Sequence, residues 1–234
     1  MRISTHARQA LAAVEAIQAE ADGTRGMLSG RIRIGSIPSA AVSFMPRVVA
    51  HFSRRHPGVE IVLLEEPSQG MQQLTDWLHN GMIDIALVEL PIAGLKAAPL
   101  MADEFCVIAS AGSQLATRGR ISVRELAGEP FIMSRYVSER LIRGACARHK
   151  ISLIVRFDVQ DLSTLVSLVR EGLGISIVPR VAFPETPPGV ALLALSPRIR
   201  RELGFALGSP ERASPALLEF VRALRELSAA NRRP

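Results

Sequence analysis

Residues 162–179 read LSTLVSLVREGLGISIVP and contain a Gly-x-Gly turn, Gly172 and Gly174, between two apolar segments. The first segment has the apolar spacing of an amphipathic helix, and ISIVP has the composition of a buried strand. Gly172 stands where helices commonly end in a left-handed residue, and Gly174 eases the tight entry into the strand. Phosphate-binding glycine loops have the reverse order, strand before helix, so this pattern predicts a structural connection rather than a nucleotide site.

The first ninety residues alternate in a similar way, in the order strand, helix, strand, helix, strand. The strands are predicted around residues 32–37, 59–63 and 82–90. The last of them, MIDIALVEL, is apolar almost throughout, which is typical of a parallel strand covered on both faces. This order predicts an α/β layer fold.

Two helices are predicted between these strands. The first should begin at about residues 40 to 44, because Pro46 is tolerated only near the first turn of a helix. The residues with helical apolar spacing are Val42, Met45, Val49 and Phe52. The second should follow PSQG, with Ser68 as its cap and Asn80-Gly81 at its end. Its inward residues are predicted to be Met71, Leu74 and Leu78.

A second series of strands and helices begins with FCVIAS at residues 105–110, and the chain ends in an amphipathic helix. That helix is predicted to bury Leu217, Phe220, Val221, Leu224 and Leu227. Near the N-terminus, residues 5–28 have a heptad-like seam. A lone helix of this kind is marginal in water, so it should pack on the rest of the chain or, as we favour, on its copy in a dimer.

The composition indicates a globular protein, since 48% of the 234 residues are hydrophobic. No apolar run reaches the roughly 20 residues of a membrane-spanning helix. The net charge of +6 comes almost entirely from scattered arginines, and aromatic residues are few, so charge alone does not indicate nucleic-acid binding. Glu15, Glu20 and Asp22 interrupt the N-terminal stretch where a signal peptide must be apolar, so a cytoplasmic location is expected.

Motifs for catalysis and cofactors are missing. The sequence has neither a Gly-x-Ser-x-Gly elbow nor a Gly-x-x-x-x-Gly-Lys loop, and its five histidines lack metal-ligand spacing. His51 and His56 are expected at an exposed helix end. Cys106 and Cys146 are expected to be buried and reduced. These observations favour a binding protein without metal or cofactor over an enzyme.

The carboxyl ends of the predicted strands are the expected ligand site, because ligands of open α/β sheets bind there. The candidates in the first half are Pro38, Ser39, Ala40, Ser68, Gln69 and Glu89. Each serine precedes or opens a helix, where it either binds an anion or simply caps the helix. The Glu89 carboxylate is either a solvated strand end or a group that opposes anions and favours a cationic ligand.

In the second half, Ser134 and Arg135 follow the strand PFIM and are candidates for the same reason. Arg135 has the geometry to pair with a ligand carboxylate. A surface salt bridge explains it equally well.

Five stretches occur in the order and approximate spacing of a known family's signatures: GRIRIG, FMPRVVAHFSRRHPGVEIVLLEE, LHNGMIDIALVELP, ISVRELAGEPFIM and LVREGLGISIVP. Together they span roughly residues 4 to 230, and the chain resembles the LysR-type transcriptional regulators. The resemblance implies an α/β fold of two lobes with a central cleft, like type 2 periplasmic binding proteins. It places a linker helix at 1–29, lobe I at 30–103 plus 204–234, and lobe II at 104–203.

The resemblance also implies that Ser39 and Ser68 contact a small-molecule effector and that the regulator is a homodimer or homotetramer. Relatives often have a small residue or arginine at the position of Glu89, so a simple carboxylate effector is not expected. Members of the family begin with a winged helix-turn-helix domain. Here residues 4–28 look like the end of the linker helix, so DNA binding is expected only through that missing N-terminal domain.

Two other functions remain open. One is a solute-binding protein of a transport system, and the other is a stand-alone ligand-binding co-regulator without DNA binding. The lack of a signal peptide and the N-terminal seam speak against the first.

Overall fold

A computed structural model describes residues 28–65, 70–134 and 138–230. The N-terminal seam, apart from Leu28, and the candidates Ser68, Gln69 and Arg135 therefore lie outside the described residues. Every helix in the described ranges is too short or too polar to span a membrane.

The described residues form ten strands and six α-helices. In chain order they are β1 Gly30–Ser36, α1 Pro38–Ala41, α2 Phe44–Arg55, β2 Val59–Glu65, α3 Met71–His79, β3 Ile85–Leu90, β4 Ala97–Ser110, β5 Arg120–Ser122, β6 Pro130–Ser134, α4 Ser138–Arg148, β7 Ile154–Val159, α5 Leu162–Arg170, β8 Ser176–Pro179, β9 Val190–Ser196, β10 Arg200–Leu207 and α6 Pro215–Ala230. The alternation of strands and helices confirms the predicted α/β class.

The chain divides into two compact units. In the described part, unit 1 contains the residues up to Met101 and those from Glu202 onward, and unit 2 contains Ala102–Arg201. Strands β4 and β10 carry the chain from one unit to the other.

Unit 1 is built on the strand order β2-β1-β3-β10. β1 is parallel to both β2 and β3, and β10 is antiparallel to β3. Helix α3 packs closely on this sheet, since a Cβ atom at Gly35 would lie 2.8 Å from the side chain of Leu74. Helices α2 and α6 meet through Phe52 and Phe220, whose ring centroids are 5.2 Å apart.

The predicted first helix is interrupted. A single turn, α1, is followed by α2, which begins at Phe44 with Pro46 in its first turn. Val42 lies in the break and is 54% exposed, so the predicted helical spacing does not include it. The break resets the helical phase, and Val49 is half-buried. The residues that α2 buries are Phe44, Met45, Val48 and Phe52.

Helix α3 starts later than its predicted cap. Its N-cap is Gly70, with φ of 67°, and not Ser68. Leu74 and Leu78 are buried as predicted, while Met71 is half-buried. The helix ends at Asn80-Gly81, and the φ of 65° at Gly81 confirms the predicted glycine stop.

Unit 2 is a second mixed sheet. β4 pairs antiparallel with β8 on one side and β9 on the other, and β5 runs parallel to β9. β6 and β7 form a parallel pair joined to the chain before β8, where the Ile132 N–H donates to the Ile175 carbonyl at 2.8 Å. β4 begins at Ala97, eight residues before the predicted start at Phe105. The prediction missed its first half because Pro99 and charged residues are untypical of a strand.

The Gly-x-Gly turn after α5 confirms the structural interpretation. Gly172 has φ of 74°, and its N–H donates to the Val169 carbonyl while the Leu173 N–H donates to the Leu168 carbonyl. This is the paired hydrogen bonding of a Schellman helix end. Gly174 allows close passage of two backbones, since a Cβ there would lie 2.5 Å from the Pro130 carbonyl oxygen.

Helix α6 buries a wider face than predicted. Leu217, Phe220 and Leu224 are buried, whereas Val221 and Leu227 are half-buried. The small residues on this face are Ala216, Ala223 and Ser228.

The predicted exposure of two histidines is wrong. His51 lies inside α2, half-buried, with its Nε2 3.9 Å from the Glu226 carboxylate of α6. His56 is the C-cap of α2, and its ring packs against Phe52 at 4.7 Å between centroids. Sequence periodicity within α2 gave no sign that a helix from the far end of the chain covers this face.

Candidate functional site

The carboxyl ends of three parallel strands lie at one edge of unit 1. Ser36, the last residue of β1, is in register with Glu65 of β2 and Leu87 of β3. The Ile37 N–H donates to the Leu87 carbonyl at 3.2 Å, so the chain leaves the sheet directly beside β3. Segments that follow these strands therefore converge on the same edge, where open α/β sheets bind ligands.

Pro38, Ser39 and Ala40 form the turn at this edge. Pro38 is the first residue of α1, where its fixed φ suits a helix start. Ser39 and Ala40 are 7% and 0% exposed. The N–H groups of Ala40 and of the next residue both donate to the Ile37 carbonyl at 3.1 Å. Because the turn uses these two amides itself, its contribution to ligand binding depends chiefly on the Ser39 side chain.

Glu89 lies at the same edge of the sheet. It is in register with Leu203 of β10 and is half-buried. Side chains alternate along a strand, so Glu89 is on the same face of β3 as Leu87 and, through the parallel register, as Ser36 of β1. Glu89 is two residues beyond that pair, toward the carboxyl end of β3. The structure thus brings Glu89 and the Pro38–Ala40 turn together at one edge.

Gln73 is a polar residue that the sequence analysis missed. It lies in the first turn of α3, a turn without acidic residues, and its N–H donates to the Gly70 carbonyl at 3.0 Å. Its side-chain Oε1 is buried and has no hydrogen-bond partner among the described residues. Buried polar atoms normally have partners, so Gln73 is a further candidate for ligand contact. Gln73 lies three residues after PSQG, and nothing in the sequence there indicates that its side-chain oxygen is buried.

In unit 2, the carboxyl ends of β6 and β7 lie together. Ser134 ends β6, is half-buried and is in register with Val159 of β7. Asp161 follows β7 and caps α5 by accepting a hydrogen bond from the Thr164 N–H at 2.7 Å. Hydrogen bonds from the Ser163 hydroxyl and from the Thr164 N–H lower the pKa of Asp161 to about 2. This carboxylate therefore occupies the helix N-terminus at which an anion would otherwise bind.

The other buried ionisable groups have structural roles. Asp103 accepts hydrogen bonds from the Arg201 guanidinium and from the Val181 N–H, each at 2.9 Å. Burial raises the pKa of Cys106 to about 12 and also raises the pKa of Cys146, so neither thiol has the character of a nucleophile. Both cysteines are free and buried, as predicted. The described ranges contain no group of three His, Cys, Asp or Glu residues that could hold a metal ion.

The fold is the α/β fold of the type 2 periplasmic-binding-protein-like class, which the solved structures described below share. The profile of the LysR substrate binding domain matches residues 25–229. The chain therefore belongs to the LysR substrate-binding domain family.

Relatives of the chain are transcriptional regulators. The uncharacterised regulator YvbU of Bacillus subtilis is 28% identical over 98% of this chain and 78% of its own length. The probable regulator LrrA of Synechococcus elongatus is 29% identical over 96% of this chain and 76% of its own length. A probable hydrogen peroxide-inducible genes activator of Mycobacterium avium is 28% identical over 95% of this chain and 73% of its own length.

Solved structures show the same fold. Hydrogen-peroxide-bound OxyR of Corynebacterium glutamicum has a TM-score of 0.75 and 26% identity, and covers 97% of this chain and 75% of its own. The CcmR regulatory domain of Synechocystis with 2-PG has a TM-score of 0.73 and 22% identity, with 85% and 97% covered. The BenM effector binding domain with benzoate has a TM-score of 0.73 and 21% identity, with 87% and 95% covered.

Proposed function

We propose that this chain is the effector-sensing and oligomerising part of a bacterial LysR-type transcriptional regulator. It binds a small metabolite beyond the carboxyl ends of its parallel strands and couples that binding to transcription through the DNA-binding domain of the full-length protein. The observation that carries the proposal is the convergence of Ser39 and Glu89 at the carboxyl edge of three parallel strands. Membership of the LysR substrate-binding domain family supports it.

The groups at this edge suit a small polar ligand. The Ser39 hydroxyl supplies one hydrogen-bonding group, and the uncapped first turn of α3 with Gln73 supplies others. Ser134, together with Ser68, Gln69 and Arg135 as predicted from the sequence, completes the proposed contact set. Sites of this kind fix the orientation of a ligand with a few polar groups in mostly apolar surroundings.

Glu89 determines which effectors fit. Its carboxylate repels an anionic group placed at the same strand end and attracts a cationic one. Benzoate, shikimate and 2-PG accompany structures of relatives with this fold. We propose that this chain differs from them and takes an effector with an amino or other cationic group.

Effector binding would act by population shift. A ligand that binds one conformation of the chain more tightly than another moves the equilibrium toward that conformation. In a LysR-type regulator the same shift changes how the subunits present their DNA-binding domains.

A thermal-shift screen tests the proposal. The panel contains amino acids, amines, aromatic acids and sugar acids, and the chain is compared with Ser39→Trp and with the exposed control Ser209→Trp. A ligand at about a hundred times its Kd should stabilise the chain by about 2.7 kcal/mol. Ser39→Trp should lose the shift and Ser209→Trp should keep it. A shift that survives in Ser39→Trp contradicts the proposed site.

Glu89→Gln in the same screen tests the role of Glu89 in selecting a cationic effector separately from effector binding itself. An amine response that is weakened by Glu89→Gln supports the cationic effector. A response to acids that Glu89→Gln leaves unchanged refutes the role of Glu89 and leaves effector sensing intact.

A further inference from the structure

Residues 118–150 carry almost all of the net charge of the chain. Eight of them are Arg or Lys and three are Asp or Glu, whereas the rest of the chain has twenty of the first kind and nineteen of the second. The arginines that look scattered along the sequence are therefore concentrated in one part of unit 2. A local excess of positive charge indicates an acidic partner more clearly than the net charge of a chain does.

The fold brings two elements of this part together. Strand β5 leads into the 3₁₀ turn Val123–Gly128, and this turn packs against helix α4. Val123 and Leu126 of the turn share a buried cluster with Ile142 of α4. The outward faces of the turn and of the helix are therefore neighbours on the surface of unit 2.

These outward faces carry cations without acidic partners. Four exposed arginines have no carboxylate partner within the described residues, and these are Arg120, Arg124, Arg140 and Arg148. Two of the three acidic residues nearby are already engaged, Glu125 by Arg118 and Glu139 by Arg143. The third, Glu129, is exposed at the end of the turn. Positive charge therefore exceeds negative charge on this surface.

The side chain of Arg148 lies back along α4 toward Arg140. A Cβ atom at Gly144 would be 3.8 Å from the Nη1 of Arg148. The guanidinium therefore covers Gly144, which is one helical turn from Arg140. Like charges one turn apart on a helix repel each other. A bound anion would remove this repulsion.

Lys150 adds a fifth cation at a position that favours glycine. It ends α4 with a φ of 57°, the one positive φ at a non-glycine residue in the described ranges. The Lys150 N–H donates to the Ala147 carbonyl and the Ile151 N–H donates to the Cys146 carbonyl, each at 3.0 Å. Glycine is usual at such a helix end and adopts this conformation more easily. What a lysine offers in exchange is its charge.

Duplex DNA is the acidic partner that fits this surface. Arginine guanidinium groups bind phosphate oxygens through paired hydrogen bonds. Protein partners need an apolar or aromatic centre, and none of the exposed large apolar side chains of the described part lies within residues 118–150. The same lack of exposed rings argues against single strands, which depend on base stacking.

We propose that the basic surface, defined as Arg120, Arg124, Arg140, Arg148 and Lys150, binds the phosphate backbone of duplex DNA without regard to sequence. Phosphate contacts position a protein on DNA but do not read its bases. The inference rests on the proposed function, because a regulator held at its operator keeps unit 2 at a high local concentration of flanking DNA. It adds a second DNA contact to the one expected from the N-terminal domain of family members.

Fluorescence anisotropy of a short labelled duplex of arbitrary sequence tests the surface in this chain. We expect a Kd between about 1 and 100 µM in about 0.1 M KCl, the usual range of sequence-independent binding. Arg124→Gln, Arg140→Gln and Arg148→Gln combined should weaken binding at least about tenfold. The slope of log K against log [KCl] should become less steep by about 2–3, since each phosphate contact contributes about 0.9.

A matched control removes the same charge elsewhere. Arg54→Gln, Arg55→Gln and Arg212→Gln combined change three exposed arginines of unit 1, and this variant should bind the duplex nearly as well as the parent. Circular dichroism melting checks that both triple variants are folded.

Three results would overturn the proposal. They are equal weakening in the two triple variants, no binding of the duplex by the parent, and tighter binding of the parent to polyglutamate of the same total charge than to the duplex. The effector screen on the same variants shows separately whether effector sensing stands.

Discussion

Asp103 and Arg201 form a buried ion pair between the two strands that carry the chain from one unit to the other. The Asp103 Oδ2 is 2.8 Å from a terminal nitrogen of Arg201, and the side chains are 3% and 1% exposed. The guanidinium also lies 5.2 Å from the centre of the Phe105 ring. Desolvation raises the pKa of Asp103, while the charge of Arg201 and the Val181 N–H oppose that shift.

Removing one member of this pair should be costly. Asp103→Asn leaves the Arg201 charge buried without its counter-ion, so we expect a loss of about 3–5 kcal/mol in the free energy of unfolding. Urea denaturation measures it. The neighbouring Glu104 is 48% exposed and pairs with Arg198 at 3.5 Å, so Glu104→Gln is the control and should cost about 1 kcal/mol or less. Equal losses from both variants would contradict a special role for the buried pair.

Three glycines of unit 2 allow the cost of a positive φ to be compared with the cost of a close backbone contact. Gly172→Ala meets open space but has φ of 74°, so it should cost about 1 kcal/mol. Gly174→Ala places a methyl group 2.5 Å from the Pro130 carbonyl and should cost about 1–3 kcal/mol. Gly128→Ala has neither problem and should change stability by less than about 0.5 kcal/mol. Urea unfolding should find Gly128→Ala the most stable of the three variants and Gly174→Ala no more stable than Gly172→Ala.

The cap of α5 should give a pH-dependent contribution. The pKa of Asp161 in the folded chain is about 2, below its ordinary value of 3.8. Its stabilising effect is therefore present above the unfolded pKa and is lost as the pH falls through about 2. The group is almost fully exposed, so solvent screening limits the effect, and Asp161→Ala should cost about 1 kcal/mol at pH 7.

Denaturation of Asp161→Ala and its parent between pH 7 and pH 2 measures this contribution. The difference in the free energy of unfolding between the two proteins should become smaller as the pH falls toward 2. Asp161→Asn keeps a capping oxygen, so its loss in the free energy of unfolding at pH 7 should be much smaller than that of Asp161→Ala. A gap that is constant across this range would show that the Asp161 charge does not stabilise the helix.

The native thiols should be unreactive. A pKa of about 12 for Cys106 leaves a thiolate fraction of about one in ten thousand at pH 8, and the side chain is 6% exposed. Iodoacetamide should label neither cysteine of the folded chain within an hour, and both in guanidinium chloride, as read by mass spectrometry. The same burial predicts no thiol oxidation by hydrogen peroxide. Rapid native labelling of Cys106 or Cys146 would contradict this prediction.

The order of elements could be predicted because each helix and strand carries its own periodicity and its own stop. The glycine end of α5 and the strand β3 are examples. Residues that depend on distant partners could not be predicted. Asp103 can be buried because Arg201, 98 positions away, neutralises it, and without knowledge of that partner its charge argued against a strand in the first half of β4. Val42 was misplaced because a break in the helix changed the phase of the residues that follow.

The candidate site shows the same division. Pro38, Ser39 and Glu89 were predicted from a general rule about the ends of parallel strands, and the register of β1 and β3 places them at one edge. Gln73 was missed because its importance depends on the burial of a single oxygen atom, which has no sequence signature.

The division of unit 1 into two chain segments has a consequence for synthesis. Nearly all of unit 2, residues 102–199, leaves the ribosome before β10 and α6 exist. Strand β3 cannot pair with β10, and Phe52 cannot pack against Phe220, until those later residues have been synthesised. Because domains fold as units during translation, unit 2 matures first. The apolar surface of the older, N-terminal segment remains accessible to chaperones until the last helix is released.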